Sequence, residues 1–148
     1  MRRPLIQRRP ATEADVPFLI ELRCQTMTAH QIASGLTPSD EERRRRVLAR
    51  FECAEVLSCE GWQMGLLKVT RDGPEWVLQQ IQIAPEFQGR GIGEALVRGV
   101  ALEARQAGAA LYLSVLKANP ARRLYERIGF TQLGEGEHEF EMVLDAPR

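Results

Sequence analysis

Cysteine is scarce and poorly placed for chemistry. Cys24, Cys53 and Cys59 are odd in number and show neither C-x-x-C nor another metal-ligand spacing. That argues against a disulfide framework or a zinc module and for reduced packing residues, so no metal is expected. Net charge is also missing: 20 Lys and Arg balance 20 Asp and Glu. Without a whole-molecule field to draw the chain onto DNA or anionic lipid, neither nucleic acid nor a membrane is expected as a partner. No apolar run approaches the roughly 20 residues of a bilayer span. The opening MRRPLIQRRP is basic, with no apolar stretch or small-residue cleavage site behind it, so a soluble, cytoplasmic chain is expected. Repeats, low-complexity tracts and long Pro/Gly/Ser linkers are absent too, and 148 residues fit one domain spanning 1–148.

What is present alternates. Leu5 to Arg9 reads as a short strand. Thr12, with Asp15 three residues on, opens a helix whose apolar positions are Val16, Leu19, Ile20 and Cys24. Gln25 to Leu36 is ambiguous. Thr37-Pro38-Ser39-Asp40 caps a second helix with Val47, Leu48 and Phe51 on one side and Arg43 to Arg46 on the solvated remainder. Strands follow at Glu55 to Cys59, Trp62 to Thr70 and Trp76 to Ala84, and the short turns between them predict antiparallel pairing. The next helix repeats Ile92, Leu96, Val100 and Ala104 at fourfold spacing and ends near Gly108. Leu111 to Leu116 is nearly all apolar, as in a central strand covered on both faces. Asn119-Pro120 starts a short helix that Gly129 closes, and strands near Phe130 to Leu133 and His138 to Leu144 finish the chain. This is a mixed α/β order with one crossover, from the strand ending at Ala84 to the strand at Leu111.

The crossover begins with APEFQGRGIGE, residues 84–94, which holds three glycines within five positions. Glycines at a strand-to-helix junction let backbone approach a ligand, and the first amides of the helix point at an anion with the helix dipole behind them. A phosphate is the implied ligand. A dinucleotide fingerprint starting at Gly89 would need glycine where the chain has Glu94, and no GK[ST] follows for a nucleotide P-loop.

Gln88-Gly89-Arg90-Gly91-Ile92-Gly93 resembles the Q/R-x-x-G-x-G/A signature of the GCN5-related N-acetyltransferases. The preceding Gln80-Ile81-Gln82-Ile83-Ala84-Pro85 looks like that family's fourth strand, and Leu124-Tyr125-Glu126-Arg127-Ile128-Gly129-Phe130 like its last patterned helix and turn. The matching blocks run from about residue 76 to 130. The resemblance implies a mixed α+β domain: a central, mostly antiparallel sheet of about seven strands with one splayed parallel pair, flanked by about four helices. It implies acetyl-CoA as co-substrate, with the pyrophosphate on the loop from Gln88 to Gly93. The pantetheine arm would lie along Ile81, Gln82 and Ile83 as one more strand. Leu78 followed by Gln79 and Gln80 is a pattern that a β-bulge would produce, and in the family a bulge opens this slot.

The implied reaction is direct attack of a primary amine on the thioester in a ternary complex. The amide of Ile83 or a neighbour would stabilise the developing oxyanion and Tyr125 would act as general acid. Asn119 matches a cofactor-touching asparagine at a shorter spacing from Tyr125 than in the family, and it also has a local job as N-cap ahead of Pro120. No general base stands out. Ser114 occupies the place where some relatives carry a glutamate, and Glu21, His30, Glu75 and Glu137 are the remaining candidates. Glu135, Glu137, Glu139 and Glu141, with Asp40, Glu41 and Glu42, fit either an acidic mouth for a cationic amine or a solvated hairpin edge. The acceptor is thus a small-molecule or peptide amine of undetermined identity. A homodimer is compatible with the family, and the rival function is a non-catalytic module that binds acyl-CoA.

Overall fold

The computed structural model describes residues 6–147. Seven strands form one sheet in the order β1-β2-β3-β4-β5-β7-β6. In chain order these are β1 (Ile6–Pro10), β2 (Ala54–Cys59), β3 (Trp62–Asp72), β4 (Glu75–Ile83), β5 (Ala110–Leu116), β6 (Thr131–Glu135) and β7 (Glu139–Leu144). Four α-helices flank it: α1 (Val16–Ala33), α2 (Asp40–Leu48), α3 (Ile92–Gln106) and α4 (Ala121–Ile128). Leu5, expected at the start of the first strand, lies outside the described residues. All pairings are antiparallel except β4 with β5. The parallel pair is the one joined by the α3 crossover, as the sequence order requires.

Two apolar clusters hold the layers. The larger joins Leu57, Leu67, Val97, Val100, Leu111 and Met142; the smaller joins Leu19, Leu22, Val47, Val56 and Leu66. Helix α1 starts where the Asp15 carboxylate accepts the Thr12 backbone N–H at 2.7 Å and both Arg9 guanidinium nitrogens at 2.8 Å. Helix α2 is capped by Ser39, whose Oγ accepts the Glu42 N–H at 3.1 Å. Its far end is pinned to β3 by buried Lys68, whose Nζ donates to the carbonyls of Ala49 at 2.6 Å, Val47 at 3.1 Å and Arg46 at 3.3 Å. Burial pushes that ammonium down to about 8, while a cation at a helix C-terminus is favourable in itself.

Several sequence expectations change. The ambiguous Gln25 to Leu36 stretch is helical as far as Ala33. Cys24 is exposed and packs nothing. Leu48 is exposed, and Phe51 falls outside α2, because Arg50 turns the chain at φ +50. On α3 the fully buried position beside Val100 is Val97; Leu96 is only half-buried. Strand β5 is covered on one face by Leu111, Leu113 and Val115, whereas Ser114 on the other face is exposed.

Candidate active site

The cleft is made by one extra residue in β4. Lys68 pairs with Gln80 and Val69 with Leu78, so Gln79 is bulged out of the β3 ladder. On its other side β4 pairs with β5 only through Glu75↔Ala110, Trp76↔Leu111 and Val77↔Tyr112. From Leu78 to Ile83 the two strands part, and two cavities occupy the opening. One, of about 580 Å³, lies between Ile81, Gln82 and Ile83, the glycine loop and α4. The other, of about 440 Å³, lies between Val77 to Gln82 and Leu113 to Leu116, with α1 and the β6–β7 turn at its ends. Met27, Ile81, Gln82, Asn119 and Tyr125 line both. One strand thus serves a slot on either side, and Tyr125 stands where the slots meet.

The glycine loop sits at the N-terminus of α3. Gly89 and Gly91 have φ of +77° and +76°, the left-handed region that glycine enters without strain. Gly93 is different: it is helical, and a Cβ added there would meet nothing within 4 Å. The protein's own packing gives no reason for glycine at 93, as it gives none at Gly99 in the same helix; what sets Gly93 apart is that it lines the cavity. The first intrahelical bond is Ala95 N–H to Gly91 C=O at 3.1 Å, which leaves the preceding amides with no helical partner. Glu94 in the first turn is paired with Arg127 at 2.8 Å and Arg98 at 3.6 Å. These partners, Arg127 foremost, hold its carboxyl below the usual range and offset its charge at the helix N-terminus. Gln88 ties the loop to β4 by donating from Nε2 to the Ile83 carbonyl at 2.8 Å.

Tyr125 is buried on α4 and meets Phe130 edge-to-face at 5.8 Å between ring centroids. Burial pushes its phenol up to about 12, so the hydroxyl remains a proton donor throughout the neutral range. Pro120, not Asn119, is the N-cap of α4; from one position further out Asn119 Oδ1 still accepts the Ala121 N–H at 2.9 Å, and its side chain borders both cavities.

Of the residues singled out by sequence, Ile81, Gln82, Ile83, Gln88, Gly89, Gly91, Ile92, Gly93, Asn119 and Tyr125 all line the first cavity. Arg90 does not. It folds back over the Phe87 ring at 5.7 Å and donates to the Glu86 carbonyl at 3.2 Å. His30 borders the first cavity, and Ser114 and Glu137 the second; Glu21 and Glu75 border neither. Sequence reasoning passed over Arg23, Met27 and Gln31, which α1 presents to the second cavity, and over Arg127 and His138. The i, i+4, i+8 spacing of the first three was the available signal, hidden because the helix was expected to fade after Cys24.

A sheet split at a bulge, with a glycine-rich helix N-terminus on one side and a buried tyrosine at the junction, defines a mixed α/β architecture whose cleft suits an extended, anionic ligand. Comparison with known proteins agrees: the family described as Acetyltransferase (GNAT) domain matches residues 49–132. The chain belongs to the GNAT acetyltransferase family. It is 37% identical over 83 residues to the streptothricin acetyltransferase of Streptomyces lavendulae, covering 47% of this chain and 44% of that one. It is 38% identical over 60 residues to the [ribosomal protein bS18]-alanine N-acetyltransferase of Haemophilus influenzae, covering 40% of this chain and 41% of that one. Each match spans less than half of the relative's length. A solved PaiA N-acetyltransferase from Thermoplasma acidophilum, in complex with coenzyme A, shares the fold at TM-score 0.73 and 16% identity, over 95% of this chain and 99% of that one.

Proposed function

We propose that residues 1–148 form one acetyl-CoA-dependent N-acetyltransferase domain acting on a primary amine by direct attack in a ternary complex. The observation that carries this reading is the meeting of the two cavities at Tyr125, one bounded by the glycine loop and the other by α1 and the β6–β7 turn. The residues fit the co-substrate: unpartnered amides at the α3 N-terminus for its phosphates, and the unpaired half of β4 for its amide-bearing arm. When bound, it supplies an acetyl group activated as a thioester. The backbone amide at Ile83 or its neighbour is assigned to the negative charge that builds on the carbonyl oxygen. Tyr125 holds its proton at Oη for the departing sulfur. A thiol of pKa about 8.5 leaves readily, so a donor with a pKa as high as that of Tyr125 assists chiefly by hydrogen bonding. Proton removal from the amine falls to a group on the acceptor side, where Glu137 and His138 lie.

The named relatives differ in acceptor, one being named for streptothricin and the other for an alanine of a ribosomal protein, so family membership supports the donor more firmly than the acceptor. The test is thiol appearance from acetyl-CoA with free amino acids, polyamines, aminoglycosides and short peptides. Release that depends on one class establishes the reaction and names the acceptor. Tight coenzyme binding with no release from any amine would refute it in favour of a non-catalytic acyl-CoA-binding module.

A further inference from the structure

The second cavity carries buried polar groups that the fold leaves unsatisfied. Arg23 is 5% exposed, and its Nε has no hydrogen-bond partner. Two of the three acidic groups of α2 are already taken: Asp40 is paired with Arg43, and Glu42 with Arg45 and Arg46. Burial, and then the neighbouring Arg46 charge, push the Arg23 guanidinium down to about 10. A buried cation is costly unless something anionic joins it, and the nearby carboxylate of Glu42 is itself engaged by Arg45 and Arg46. The same cavity is lined by Gln31, Gln80 and Gln82, whose buried Oε1 atoms also lack partners. Gln80 has its orientation set by its nitrogen, which donates to the Arg46 carbonyl at 3.2 Å, so the oxygen is the group left over. Native proteins satisfy nearly all such groups. This site therefore presents one unmatched cationic donor and three glutamine amides, of which Gln80 has its oxygen free and Gln31 and Gln82 can turn either oxygen or nitrogen to a ligand.

That set is complementary to a molecule that carries both an anion and N–H donors. We propose that the acceptor is an amine that also bears a carboxylate, an amino acid or short peptide, with Arg23 binding the carboxylate and the glutamine oxygens receiving the amine N–H groups. The proposal rests on reading this cavity as the acceptor site of an acetyltransferase. A guanidinium fork matches a carboxylate in shape. A dianionic phosphate would overcompensate the Arg23 charge in a cavity whose turn end already carries Glu137 and Glu139, whereas an ammonium suits that end.

Dissociation constants would be measured for paired probes: alanine against alaninamide, β-alanine against β-alaninamide, and alanylalanine against alanylalaninamide. The dipeptide arm separates a peptide terminus from a free amino acid as the source of the carboxylate. A hydrogen bond to a charged group corresponds to a preference of about ten- to a hundred-fold for the carboxylate member. That preference should collapse toward one in Arg23→Gln and recover partly in Arg23→Lys. Comparing ratios between wild type and variants cancels the differing basicity of the amines. Affinity for coenzyme A should stay unchanged, because Arg23 borders only the acceptor cavity. Equal affinity for both members in wild type, affinity for neither at millimolar concentration, or a preference that survives Arg23→Gln would overturn the proposal. If the variants do not fold, the wild-type pairs alone decide. Failure of wild type to bind coenzyme A would remove the acetyltransferase reading instead, while the pairwise constants, taken without coenzyme, still judge the carboxylate site.

Discussion

Gly93→Glu should separate folding from binding at a single position. At Gly91 a new side chain would meet a backbone at φ +76°, with a left-handed strain of about 1–2 kcal/mol that confuses any loss of function. Gly93 has no such conflict, being helical with nothing within 4 Å of an added Cβ. Replacing glycine in a helix contributes about 0.5 kcal/mol, reduced from the interior value because the site is in the first turn. A carboxylate near the N-terminus adds about 0.3–0.5 kcal/mol. The apo-protein should therefore melt about 2–4 °C higher, at the few degrees per kcal/mol usual for a domain of this size. Binding should move the other way. A carboxylate held about 4 Å from a phosphate costs about 4 kcal/mol at an effective dielectric constant of 20, close to a thousand-fold in affinity. The assay is thermal unfolding with and without acetyl-CoA: saturation at a hundred times Kd stabilises wild type by about 2.7 kcal/mol, and the variant should lose that shift from a raised baseline. A variant that is more stable and still binds would refute the glycine loop as the phosphate site. One that is destabilised would show that glycine serves the fold.

Tyr125→Phe should lower kcat by about a hundred-fold, the lower end for a general acid, with KM for acetyl-CoA little changed. Because burial raises the phenol to about 12, wild-type activity should show no alkaline fall attributable to this group between pH 6 and about 10, and full activity in the variant would return Tyr125 to a packing role. Asp15→Ala should cost about 1–2 kcal/mol at pH 7 in denaturant unfolding, a modest figure because the paired Arg9 is half-exposed. The Asp15 carboxyl is lowered to about 2 by Arg9 first and Thr12 next, so its contribution is complete above the ordinary value near 3.8 and fades as pH falls through about 2. A stability gap that persisted unchanged at pH 2 would contradict the ion pair.

The order of elements was legible because punctuation in this chain is strong. Ser39, Pro120, Gly108 and Gly129 mark helix ends where they were expected, and short runs of apolar residues between turn signals marked the central strands. The bulge at Gln79 was expected through the family resemblance, with two adjacent glutamines as a lesser sign. Failures occurred where packing overrides local pattern. Leu48 and Cys24 look like core residues in a helical projection, yet Arg50 turns the chain away and the core at the end of α1 gives place to a cavity. The cavity at the glycine loop was legible because most of the residues singled out there, from Ile81 to Gly93, are close in sequence. The other cavity was not, because it gathers α1, β4, β5 and the β6–β7 turn, segments of which some lie more than a hundred residues apart.

The extra residue in β4 also gives the sheet a third edge. An open sheet has two rims, here β1 and β6; the parting of β4 from β5 after Val77 creates another in its interior. An outer rim accepts any passing strand, and exposed rims are where chains aggregate. The inner rim is walled by the glycine loop and α4, so its unpaired backbone groups face an enclosed cleft and not a flat open edge. The fold thereby keeps the recognition chemistry of an unpaired strand while shielding it from edge-to-edge pairing of whole sheets.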